Sequence, residues 1–136
     1  MVHRLAITVL SALLLAWFGP ARNAVALEPG ARMSVDKVQR GMVGVGRSVF
    51  RGTRIDTFQV EIIGTLHDLF GPGRDIILAE LSGAPLEEAG VIQGMSGSPV
   101  FIDGKLIGAV SHAIGPYFTK RSIAGIRPID EMLDLL

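Results

Sequence analysis

The chain has 136 residues, with 13 basic and 13 acidic side chains and no net formal charge. The basic residues do not cluster, which excludes a nucleic-acid interface of the electrostatic kind. Cysteine is absent, so disulfides, a cysteine nucleophile and thiolate metal sites are excluded as well.

The N-terminus reads as a secretory signal peptide. His3 and Arg4 give a charged start, and the 14 residues from Leu5 to Phe18 carry no charge and are almost wholly apolar. Gly19 and Pro20 end that run, and Ala24-Val25-Ala26 supplies the small residues a signal peptidase reads. A spanning helix needs about 20 apolar residues, so the pattern predicts cleavage after Ala26 and export to the periplasm or the exterior. Cleavage removes Arg4 and Arg22 and no acid, leaving 11 of the 13 basic residues beside 13 acidic ones. The remaining part, 27–136, is sized for one domain and holds no second apolar run long enough to span a membrane.

From there the chain reads as short strands. Leu27 to Val35 is a polar lead-in. Glycines exclude a helix over Val38–Phe50, and Val43, Val45, Val49 and Phe50 favour a strand. Arg51 to Arg54 is a turn. Phe58–His67 alternates in part, with Phe58, Val60 and Ile62 set to face one side. Gly71-Pro72-Gly73 marks a loop, and Asp75–Leu81 is a strand of the buried type. Val91-Ile92 reads as an apolar strand leading into Gly94-Met95-Ser96-Gly97-Ser98-Pro99. Two further apolar runs follow, joined by Asp103-Gly104, the dipeptide that suits a type I′ hairpin turn. Ser122 to Ile126 is a last strand, and Pro128 opens a closing helix over Ile129–Leu136. The class is therefore mainly β, a small barrel or sandwich with a short C-terminal helix.

The segment 94–99 carries the chemistry. A serine attacks a carbonyl when its hydroxyl projects from a tight turn and backbone N–H groups converge on the developing oxyanion. Glycine on both sides of Met95-Ser96 permits such a backbone path. The two-residue spacing lets the Gly94 and Ser96 amides form the hole.

The longer stretch makes this specific. Gly94 to Pro99, followed by Asp103-Gly104-Lys105-Leu106-Ile107-Gly108-Ala109-Val110-Ser111-His112, resembles the SpoIVB serine peptidases, serine-peptidase family fifty-five. Gly41 to Gly46 and Ile123 to Ile129 are similar to that family too, so the resemblance spans about 33–136. It implies an exported serine endopeptidase with a chymotrypsin-like β-barrel, here in partial or single-barrel form, and a protein or peptide substrate. By the same resemblance Ser96 is the nucleophile, and the Gly94 and Ser96 amides make the oxyanion hole.

The base is less directly marked. Sporulation peptidases carry it in a Gly-His pair upstream of the serine, and this chain has no Gly-His pair. His67 lies upstream of Ser96 with Asp68 and Asp75 close by, and is the first candidate. His112, at the far end of the hairpin, is the alternative base. Glu87 and Glu88 are further acids near the serine in sequence. Two histidines without ligand spacing do not make a zinc site. The glycine runs match no phosphate-binding loop, so no cofactor is implied. A two-barrel peptidase takes about 180 residues or more, so this chain reads as a compact relative or as a piece of a longer protein. The competing reading is a non-catalytic exported β-domain that binds a peptide by strand addition.

Overall fold

The computed structural model describes residues 30–83, 86, 91, 93–115 and 122–134. The expected signal peptide at 1–26 and the Glu87–Glu88 pair lie outside the described residues. Six strands form the fold: β1 (Val43–Arg51), β2 (Arg54–Leu66), β3 (Ile76–Ser82), β4 (Pro99–Ile102), β5 (Lys105–Ile114) and β6 (Ser122–Pro128). A short helix, α1 (Ile129–Leu133), follows β6. The strands pair antiparallel in the order β1-β2-β3-β6-β5-β4, and β4 closes back on β1. The fold is a small, closed β-barrel with a C-terminal helix, one of the two forms the turn spacing allows and the one the family resemblance implies.

Alternation builds the interior. In β2 the side chains of Phe58, Val60 and Ile62 are buried, while Gln59 and Glu61 between them are exposed. Ile77, Ala79 and Leu81 of β3 join them, as do Val100, Ile107, Val110 and Ile126 from the remaining strands. Phe58 sets the barrel's width on one side. It pairs with Gly46 of β1, and a Cβ at Gly46 would lie 2.0 Å from its ring. The aromatic side chain thus lies across a glycine where no other residue leaves room.

Asp103 and Gly104 connect β4 to β5 with φ of 50° and 75°, the two positive values a type I′ turn requires. Three expected boundaries move. The first strand starts at Val43 instead of Val38, because Gly41 adopts φ 83° and Val35–Lys37 winds into a 3₁₀ turn. The expected strand lead-in lies partly outside the described residues; of those described, Val91 is in no strand and Gln93–Met95 forms a 3₁₀ turn. The closing helix, expected over Ile129–Leu136, is assigned over Ile129–Leu133, with 135–136 outside the described residues. Among the described residues no helix is long and apolar enough to cross a membrane.

Candidate active site

Ser96 stands on a turn fixed by the barrel. The Ser98 N–H donates to the Met95 carbonyl at 3.0 Å, closing a four-residue turn. Gly97, its third residue, has φ 87°, as a type II turn demands. The Gly97 N–H donates to the Val110 carbonyl at 2.8 Å, and the Val110 N–H donates to the Ser98 carbonyl at 2.9 Å. Two residues of the turn therefore oppose one residue of β5, a β-bulge with glycine first.

Side chains fix the turn from below. Met95 is fully buried in the core. The Ser98 hydroxyl, also buried, donates to the Ser48 hydroxyl of β1 at 2.8 Å. Between these two anchors Ser96 is exposed, and neither Ser96 nor Gly94 takes part in strand pairing. Gly94 lies within the Gln93–Met95 3₁₀ turn. The i→i+3 pattern of such a turn aims the Gln93 carbonyl at the Ser96 amide.

His67 sits just past the end of β2, on a loop held by carboxylates. Its Nδ1 lies 2.8 Å from Asp75 Oδ2. The other Asp75 oxygen accepts the Asp68 N–H at 3.0 Å, and Asp68 Oδ1 accepts the Gly73 N–H at 2.7 Å. Asp68 adopts φ 56° to make this clasp. The Asp75 N–H in turn donates to Glu131 of α1. The Asp68 amide holds the Asp75 carboxyl below its ordinary pKa. Partial burial opposes that shift, and the hydrogen bond and charge of His67 add to it. His67 is exposed. Its Nδ1 faces a carboxylate and its Nε2 is turned away, the orientation a general base has beside its acid.

His112 lies on β5 opposite Gly125. Ser111 is an extra residue in the β5–β6 register between Val110 and His112. Its hydroxyl donates to the Gly125 carbonyl at 3.1 Å. That uses its one proton, so at 2.8 Å it accepts from His112 Nδ1. In that arrangement Nδ1 carries a proton. Phe70, from the His67 loop, stacks on the His112 ring with centroids 5.1 Å apart.

The fold thus brings His67 onto Asp75 and the His67 loop onto His112. Asp68 contributes its amide and not its carboxylate to the pair. The serine turn bonds to Val110 through Gly97 and Ser98, so it meets β5 two residues before His112. No hydrogen bond joins Ser96 to His67 or His112 among the described residues. Ser48, Ser111 and Phe70 were not singled out from the sequence. For Ser111, adjacency to His112 was the available signal, whereas Ser48 meets Ser98 only through closure of β1 on β4.

Comparison with curated proteins and with solved structures gives no match. Residues 22–125 match the family described as SpoIVB peptidase S55, a span that takes in the serine turn, both histidines and most of the barrel. The chain belongs to the SpoIVB peptidase family.

Proposed function

We propose that the protein is an exported serine endopeptidase that cleaves peptide bonds through an acyl-enzyme on Ser96. The observation that carries this reading is the exposed Ser96 on a turn anchored by buried Met95 and Ser98. In the reaction, Ser96 Oγ attacks the scissile carbonyl carbon and its proton passes to His67 Nε2, with Asp75 orienting the ring. The Gly94 and Ser96 amides hold the oxyanion once the Gln93–Gly94 peptide rotates and takes its carbonyl off the Ser96 amide. The histidine returns its proton to the leaving amine, and water then hydrolyses the ester. Hydrogen bonds of this type commonly tighten only when substrate binds. His112 is the alternative base, favoured by its place on β5 two residues after Val110, which the serine turn bonds.

A fluorophosphonate probe tests the proposal. It should label the folded protein at Ser96, and Ser96→Ala should abolish labelling. Loss of labelling in His67→Ala with retention in His112→Ala selects His67, and the reverse selects His112. A folded wild-type protein that stays unlabelled rejects the enzyme. The reading left in that case is a non-catalytic peptide-binding barrel, favoured by the absence of a hydrogen bond between Ser96 and either histidine.

A further inference from the structure

Among the described residues, the last stretch of β5 is open on one side. Up to Val110, β5 is flanked by β4 and its bulge, whereas beyond the extra residue Ser111 the stretch His112–Ile114 pairs only with β6 among the described residues. Strand alternation turns every second amide and carbonyl of this stretch toward the unpaired side. The open edge begins where the Ser96 turn leaves the sheet. An extended peptide added here antiparallel to β5 runs from Ile114 toward Ser111. Its N-terminal part lies beside Ile114, and its chain reaches Ser96 at the other end.

The same residues wall a cavity. Its volume is about 450 Å³, and Leu66, Leu69, Phe70, Ile76 and Leu78 line it together with His112–Gly115 of β5. Gly125 keeps room at its base, since a Cβ there would come within 2.9 Å of Ile76 and 3.4 Å of His112. Leu69 and Phe70 are each about half exposed, so the apolar wall is open to an incoming group. An aromatic side chain finds a stacking partner in the Phe70–His112 pair.

Register then assigns the occupant. With the attacked residue beside Ser111, the second residue upstream of the scissile bond lies opposite His112 and the fourth opposite Ile114. Side chains directly across a strand pair share one face. The cavity lies on the face of His112, whose Cβ and the Ile114 side chain both approach the Gly125 position. Resting on the peptidase reading above, we infer that this cavity is a specificity pocket for large apolar side chains, aromatic above all, at the second and fourth positions upstream of the cleaved bond.

The test uses dye-tagged tetra-alanine phosphonates that react with the active serine, with Phe placed at the second, third or fourth position from the phosphonate. Phe at the second or fourth position should raise the labelling rate about 10-fold over the all-alanine probe, and Phe at the third should not. In Phe70→Ala that ratio should fall to within about 2-fold. Equal rates at all three positions, or a ratio that Phe70→Ala leaves intact, overturn the pocket while the peptidase reading stands. If the plain fluorophosphonate leaves the folded protein unlabelled, the peptidase reading fails on its own. The pocket is then read by fluorescence anisotropy with the corresponding Phe and all-alanine peptides lacking the phosphonate. Tighter binding of the Phe peptides that is lost in Phe70→Ala supports it. Equal binding overturns it, as does a cavity filled by a second copy of the chain, seen as a dimer that excludes the peptides.

Discussion

The serine turn meets β5 at Val110 and the His67 loop meets it at His112, yet the two are fixed by different chemistry. The turn is tied to β5 by two main-chain hydrogen bonds and to the interior by Met95 and Ser98. The 67–75 loop is held by carboxylates, with Asp75 gripping the His67 ring and the Asp68 amide while Asp68 grips Gly73. Main-chain pairing and apolar burial do not depend on protonation, whereas a carboxylate clasp is lost in acid. The serine's place is thus a property of the fold, and the histidine's place is a property of charge.

If that contrast holds, substitutions under the turn cost stability first and those under the loop cost function first. Met95→Ala should have the largest effect on folding. It removes a fully buried side chain from the core, for a loss of about 2–5 kcal/mol. That lowers the midpoint of a thermal melt followed by circular dichroism by roughly 10 °C or more. A midpoint within a degree or two of wild type breaks the claim that the turn is anchored in the core.

Ser48→Ala comes next. It leaves the buried Ser98 hydroxyl without its acceptor, at about 1–3 kcal/mol in urea unfolding. Removing both hydroxyls in Ser48→Ala/Ser98→Ala should recover part of that loss, because no unpaired donor is left behind. A double variant weaker than the single one means that the pair does more than satisfy itself.

Asp75→Asn sharpens the other half of the contrast. The loop is exposed, so the melt should shift little, while fluorophosphonate labelling falls about 10²–10⁴-fold as the histidine loses its orienting charge. The same clasp responds to acid. The folded pKa of Asp75 lies below its ordinary value, so its contribution is fully present above the ordinary carboxylate range. It is lost as pH falls from about 4 through the lowered folded value. The Asp68 amide resonance, followed by NMR, should move over that window while the Gly97 amide stays in place. Movement of both together would show one cooperative unit instead of two differently held loops.

How much of this was readable beforehand follows the range of the forces involved. The Phe58, Val60 and Ile62 face of β2 was legible, because alternation is local. So was the Asp103-Gly104 turn, where two adjacent residues carry the required positive φ. Gly97 beside Ser96 announced the turn for the same reason. The approach to Ser96 was less legible: apolar, β-branched Val91 suggests a strand, whereas it lies in none and a 3₁₀ turn over Gln93–Met95 carries Met95 inward. The Ser48–Ser98 bond spans fifty residues and exists only because the barrel closes. His67 and Asp75 were marked as neighbours, but the pairing needs Asp68 in a left-handed conformation that nothing in its own side chain dictates.

Gly94→Ala separates the two halves most finely. In the 3₁₀ turn Gly94 does not adopt a positive φ, and a Cβ there meets nothing within 4 Å. The resting conformation therefore has no need of glycine at 94, and alanine should leave the melt unchanged or raise stability by up to about 1 kcal/mol. Rotating the Gln93–Gly94 peptide through about half a turn carries φ of residue 94 into the positive range, where an alanine side chain is strained and glycine is not. If oxyanion binding depends on that rotation, Gly94→Ala should cut fluorophosphonate labelling about 10²–10³-fold, the scale of losing one oxyanion donor. A stable variant that labels at the wild-type rate would place the oxyanion on other donors and leave Gly94 without a catalytic reason.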